Sequence, residues 1–304
     1  MRWLRLTALV GLSSFAAAGQ IIGDVRDAIA ANDFAQGERS IQAYRVTHGV
    51  TPEMLEALSW MSRGELDAKR YEEAQRYAAE TRKLALQELA KRPMDAERHL
   101  PIALGASIEV HAQVLAARGS RGEAIQFLNQ ELATYRGTSI RVRIQKNINL
   151  LTLEGKPAPP LEMAHWLGPS PKTLAQWKGH PVLLFFWAHW CGDCKAEVPD
   201  LERLLAEYAA KGLVLIGPSQ HYGYVAGGED APREQETRYI DEVRRTYYGR
   251  LEGMSVPLSE DNFKMYGAST TPTLVLVDRA GIVRLYHPGA MPYAQLSKMV
   301  AAVL

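Results

Sequence analysis

Beyond positions 191 and 194 the 304-residue chain has no cysteine at all. That scarcity excludes a framework of several structural disulfides, and without a second cysteine pair the usual four-ligand structural zinc site cannot be assembled from thiols. Charge of one sign is also in short supply. With 35 Lys and Arg against 34 Asp and Glu the net charge is +1, which argues against nucleic-acid binding and gives no hint of an acidic substrate. No glycine-rich stretch leads into Gly-Lys-Ser/Thr, so a nucleotide phosphate loop is missing. Past the N-terminal stretch, no segment is apolar enough to span a bilayer.

What the chain has begins with Met1 to Gly19, where Arg2 and Arg5 precede an apolar run, Leu6 to Ala18, that ends in small residues. This reads as a secretory signal, residues 1–18, cut after Ala18, with an uncleaved N-terminal membrane anchor as the alternative. No cysteine follows the cut, so a lipid anchor is not indicated. Export, periplasmic or otherwise, would place the two cysteines in an oxidising space, where a vicinal pair stays useful only with an outside electron or disulfide donor.

From residue 19 to 154 helical signals dominate: Met54, Leu55, Leu58 and Met61 recur at helical spacing, as do Tyr71, Ala74, Ala78, Thr81 and Ala85. A weak unit returns at Ala31-Asn32-Asp33-Phe34, at Ala68-Lys69-Arg70-Tyr71 and at Ala117-Arg118-Gly119-Ser120. Degenerate tetratricopeptide-like helix pairs and an irregular helical bundle both fit this all-α domain. Docking a protein partner or dimerising is its expected use. A proline-rich linker is expected at 155–160, and the domain at 161–304 alternates strands and helices. Strands are expected at Leu161–Trp166, Val182–Trp187, Leu213–Gly217, Thr273–Val277 and Ile282–Tyr286, with helices at Cys191–Ala210, Arg233–Tyr248 and Pro292–Val303. Such a pattern implies a sheet covered on both faces, and Asp278-Arg279-Ala280-Gly281 implies a hairpin.

Cys191-Gly192-Asp193-Cys194 follows the apolar run Pro181 to Ala188 directly. If that run is a buried strand, Cys191 falls at a strand-to-helix turn, where the helix dipole favours a thiolate. Cys191, nearer the helix start, is then the attacking thiol and Cys194 the resolving one.

Phe186-Trp187-Ala188-His189-Trp190-Cys191-Gly192-Asp193-Cys194-Lys195-Ala196-Glu197-Val198-Pro199, followed by Thr270-Thr271-Pro272-Thr273, resembles the TlpA/ResA branch of exported thioredoxin-fold thiol-disulfide oxidoreductases. The similarity runs from about Ala158 to the C-terminus. It implies an α/β thioredoxin-like fold, a central mixed sheet flanked by helices, behind the all-α domain. It also implies that Cys191 is the more exposed cysteine, that Pro272 is a cis-proline beside the pair, and that Thr271 offers its backbone to an extended substrate. Thioredoxin's buried aspartate, six residues before the first cysteine, is here Phe185, whereas Glu197 matches the active-site glutamate of TlpA/ResA-like proteins. Glu260 is a weaker second candidate for that acid.

Asp193 stands where the family commonly has proline, and with Gly192 it is expected to tune the redox pair; repulsion from a carboxylate between the cysteines would make the pair a better reductant. Trp190 is expected to cover the thiols and contact partners, Trp187 to lie in the core. His189 reads as a solvent-facing neighbour, with copper binding alongside the cysteines as the alternative. The long Gly217 to Arg250 segment reads either as a mobile rim loop or as an inert insertion. Peroxidase chemistry is disfavoured, because Leu184 and Ala188 occupy the positions of the usual proline and threonine. The leading reading is an exported reductase of protein disulfides that uses only its Cys191–Cys194 disulfide, without organic cofactor or resident metal, fed by a membrane-bound electron donor. An oxidase or isomerase, a copper-handling protein and a pure interaction scaffold are the alternatives.

Overall fold

The computed structural model describes residues 14–304, with side chains from residue 20. Most of the expected signal segment therefore lies outside the described residues. The expected cut after Ala18 falls within the first helix, α1 (Ser14–Ala30).

The chain divides into two compact units, up to Ile140 and from Arg141 onward. In the first, α1 is followed by α2 (Phe34–His48), α3 (Pro52–Asp67), α4 (Tyr71–Leu89), α5 (His99–Ala117) and α6 (Arg121–Thr134). The spacing read from the sequence is the buried face: Met54, Leu55, Leu58 and Met61 on α3 and Ala74, Ala78, Thr81 and Ala85 on α4 are all nearly inaccessible. The three weakly repeated stretches close α1–α2, α3–α4 and α5–α6 with one and the same turn. In each, the amide three residues past the last helical residue bonds the carbonyl five residues back: Asp33 N–H to Ala28 O, Arg70 N–H to Glu65 O, Ser120 N–H to Leu115 O. The residue before it is left-handed, Asn32 (φ 57°), Lys69 (φ 59°) or Gly119 (φ 90°), which is the Schellman form of helix ending.

The second unit opens with α7 (Arg141–Thr152) and continues through β1 (Trp166–Leu167), β2 (Val182–Phe186), α8 (Gly192–Ala196), α9 (Val198–Tyr208), β3 (Val214–Ile216), α10 (Arg233–Tyr248), β4 (Val256–Pro257), α11 (Glu260–Tyr266), β5 (Thr273–Val277), β6 (Val283–Pro288) and α12 (Tyr293–Ala301). Its main sheet has the order β3-β2-β5-β6, with β2 parallel to β3 and antiparallel to β5, and β5 antiparallel to β6. Every residue of β2 and β5 is buried, because helices cover both faces. Leu183, Phe185, Leu274 and Leu276 point into one core with Leu201, Ile240 and Leu296, whereas Val182, Leu184, Phe186 and Val275 point into the other with Phe263 and Tyr266. This is the mixed sheet flanked by helices that the resemblance implied. The expected hairpin is present, its turn held by the Asp278 carboxylate, which accepts the N–H groups of Ala280 and Ile282 at 2.9 Å each.

Three expectations differ from the structure. The break between units lies at Ile140/Arg141, ahead of the expected linker at 155–160. The 155–160 stretch is instead tied to the sheet unit by Gly155 N–H to Val283 O, Val283 N–H to Lys156 O and Ala158 N–H to Gly281 O. The expected strand Leu161–Trp166 is only the two-residue β1, paired with β4. The Glu162 amide is taken at 2.7 Å by the side chain of Asn262 rather than by a neighbouring strand. Finally, the expected helix Cys191–Ala210 is two helices that meet at Glu197, since Pro199 has no N–H for the Lys195 carbonyl.

Gly267, which ends α11 with φ +62°, explains why α7 belongs to the sheet unit. A Cβ there would lie 2.3 Å from the Lys146 amide nitrogen and 2.6 Å from its Cα. Gly267→Ala combines a left-handed backbone with a backbone collision, and should destabilise the sheet unit by about 3 kcal/mol. A urea titration followed through the tryptophans of that unit will show the midpoint fall; an unchanged midpoint would mean that α7 is not held at this contact.

Candidate active site

The buried run Pro181 to His189 ends at Trp190, and the chain turns there into α8. Cys191 and Cys194 form a disulfide with Cα atoms 5.3 Å apart. Cys191 is the N-cap of α8: its sulfur accepts the Cys194 amide N–H at 3.0 Å, a role more often played by a Ser or Asp oxygen. Both cysteines are buried, Cys194 entirely and Cys191 at 3% exposure. Gly192 and Asp193 face solvent, and a Cβ on Gly192 would meet nothing within 4 Å.

The strand register brings the second motif to the same place. Phe186 of β2 pairs with Thr273 of β5, so one step beyond the ladder Pro272 stands across from Trp187, at the end of β2 from which the cysteine turn departs. The Thr271–Pro272 bond is cis. Its Pro272 carbonyl accepts the Gly289 N–H at 2.8 Å, and the Thr271 hydroxyl is buried without a hydrogen-bond partner.

Glu197 occupies the junction of α8 and α9 and is 4% exposed. One carboxylate oxygen accepts the Met291 amide at 3.1 Å, and the other has no hydrogen-bond partner. Burial pushes its pKa up to about 7; the Met291 N–H opposes the rise, while the negative charges of Asp200 and Asp193 add to it. Glu260, the weaker candidate, is exposed on α11 and paired with Lys264 at 3.0 Å. Its helix packs Phe263 and Tyr266 into the core on the opposite face of the sheet from the cysteines. Phe185 is fully buried, so no carboxylate stands at that point of β2.

Trp190 is 50% exposed, its ring edge-on to Tyr222 at 5.6 Å, while Trp187 is fully buried and donates its indole N–H to Gly217 O at 2.9 Å. His189 corrects the expectation of a solvent-facing side chain: it is 1% exposed and enclosed by the rings of Tyr222, Tyr224 and Tyr239. Its Nε2 lies 3.3 Å from Glu236 Oε1, and burial pulls its pKa down against the pull of that carboxylate. Among the described residues no group of three or more His, Cys, Asp and Glu is arranged to hold a metal ion.

The long segment after β3 is neither loose nor merely appended. Glu236 accepts the amides of Tyr222 and Gly223 at 2.5 and 2.9 Å, and the loop closes on itself through Val225 N–H to Glu229 O and Ala231 N–H to Gly223 O. The sequence reading missed Glu236 because it sits in the charge-rich run Arg233 to Arg238. A signal existed in the spacing, since Glu236, Ile240 and Val243 share one helix face, and the latter two are core residues.

Fold, disulfide and the cis-proline turn together make the second unit a thioredoxin-like domain. Its sequence matches the AhpC/TSA family profile over residues 155–224. It is similar to the thioredoxin-like protein YneN of Bacillus subtilis (26% identity over 145 residues, 48% of this chain and 77% of that one). It is also similar to the thiol-disulfide oxidoreductase ResA of Halalkalibacterium halodurans (27%, 39% and 59%) and to the thiol:disulfide interchange protein DsbE of Pseudomonas aeruginosa (29%, 43% and 64%). The match thus spans less than two thirds of the last two proteins. Among solved structures, a thioredoxin-family thiol:disulfide interchange protein from Chlorobium tepidum aligns with 49% of this chain and 97% of its own, at 19% identity and a TM-score of 0.37.

The raised Glu197 pKa has a stability consequence. Between the ordinary 4.5 and about 7 the folded state holds a proton that the unfolded chain has released. Stability must therefore fall as pH rises through that window. Urea midpoints of the oxidised protein should decline from pH 4.5 to 7 relative to those of Glu197→Gln, and parallel curves would mean that Glu197 is not the buried acid described.

Proposed function

We propose that the protein is an exported thiol-disulfide oxidoreductase that reduces disulfides of specific envelope proteins. The observation that carries this reading is a disulfide whose first sulfur already accepts a backbone N–H at the start of α8, next to a buried carboxyl group with one unpartnered oxygen. When the pair is reduced, that N–H stabilises a Cys191 thiolate. The thiolate attacks a substrate disulfide, forms a mixed disulfide and expels one substrate thiolate. Glu197, with its pKa near 7, then takes the Cys194 proton. The Cys194 thiolate attacks the Cys191 sulfur, which restores the Cys191–Cys194 disulfide and releases the second substrate thiol. Two electrons have passed to the substrate, and an external dithiol donor, membrane-bound in this reading, must return them.

Thr271 presents its backbone to an extended substrate segment, Pro272 packs beside the cysteine pair, and Trp190 supplies exposed apolar surface for the partner. Asp193 and Gly192, both open to solvent, tune the pair. The names thiol-disulfide oxidoreductase and thiol:disulfide interchange protein of its relatives support thiol exchange, and the apolar leader in the sequence supports export. The helical unit, with its three similarly closed helix pairs, docks a protein partner or a second copy. No organic cofactor and no nucleic acid enter this scheme.

Cys194→Ser should accumulate a mixed disulfide between Cys191 and its substrate, seen as a reductant-sensitive band on non-reducing gels, whereas Cys191→Ser should trap nothing. A reduction potential near or below about −270 mV, measured against a dithiol buffer, is expected of a reductase. A value near about −120 mV would reverse the direction to disulfide donation.

A further inference from the structure

The rim around the disulfide is made of two stretches far apart in sequence: the turn bearing His189, Trp190 and Cys191, and the loop bearing Tyr222, Gly223 and Tyr224. One side chain touches both. Glu236 is 1% exposed; its Oε1 accepts the Tyr222 amide and lies 3.3 Å from His189 Nε2, while its Oε2 accepts the Gly223 amide. His189 has no aligned hydrogen bond at that nitrogen, so the histidine is held by its close approach to the Glu236 carboxylate and by the three tyrosine rings around it. Beyond this cluster, Tyr222 carries the contact on to Trp190, ring edge against ring, at 5.6 Å.

A carboxylate on the apolar stripe of α10 is expensive, because its desolvation must be offset by hydrogen bonds. An apolar residue would fill the same stripe beside Ile240 and Val243 without that cost. What an apolar residue could not do is bind two amides of one loop and the histidine of another turn at once. We propose that Glu236 is a positioning residue for thiol exchange: it fixes the Trp190–Tyr222 rim beside Cys191, and thereby the surface on which a protein substrate is received. The proposal rests on the thiol-exchange reading given above. It assigns Glu236 and His189 to substrate reception and leaves the bond-making steps to the cysteines.

The test compares wild type, Glu236→Gln and His189→Asn with insulin as the protein disulfide and dithiothreitol as the electron source. Glu236→Gln keeps the side chain's size but cannot accept both amides. The KM for insulin should rise about tenfold while kcat and the reduction potential of the cysteine pair hold, the loss corresponding to a charge-assisted hydrogen bond. Acrylamide quenching of Trp190, taken as the difference from a Trp190→Phe background, should rise in both variants. Should Glu236→Gln fail to fold, His189→Asn loosens the same clamp from its other end and carries the comparison alone. Unchanged KM together with unchanged Trp190 quenching in the folded variants would overturn the proposal. A wild type inert towards insulin would sink the thiol-exchange reading, and the quenching difference would still decide whether Glu236 sets the rim.

Discussion

The site depends on β2 having no solvent face. Each of its residues belongs to one of two cores, Leu183 and Phe185 to one side, Val182, Leu184 and Phe186 to the other. A slip of one residue would exchange the two sets, so the register is fixed from both sides. The end of β2 is fixed with it. Trp187 continues the pairing through its amide to Pro218 O, and only at Trp190 does the chain reach the surface. The same register delivers Pro272 from β5. Two motifs separated by nearly eighty positions meet because one strand cannot move.

Two buried glutamates flank this point and differ in what surrounds them. Glu197 has a single amide and an oxygen with no hydrogen-bond partner, and burial dominates, so that its proton is held into the neutral range. Glu236 has both oxygens engaged by successive amides of one loop, which ties that loop to α10.

Much of this was legible in residue order. The apolar run before Cys191, the two-face burial, the Asp278 hairpin and the helical periodicity of Met54 to Met61 are local patterns, and local patterns survive folding. Tertiary contacts overrode other readings. The prolines around residue 157 looked like a linker because proline breaks helices, yet their neighbours' amides and carbonyls bond the sheet edge. His189 looked exposed because nothing in the sequence announces the three tyrosines, from a loop and a helix over thirty residues away, that close around it. Glu236 was hidden by charged neighbours, although its spacing to Ile240 and Val243 placed it on the inner face.

The contact at Gly267 has a bearing on how the chain can be divided. Because the backbone of α7 lies where a side chain would be, and Glu154 accepts the Tyr286 amide at 3.0 Å, the stretch ahead of the prolines is part of the sheet unit's own fabric. A fragment cut at the prolines would lose an outer helix, whereas one begun at Arg141 carries every element that closes around the thiols. The sheet unit of this protein is longer than its redox motif and its proline punctuation suggest.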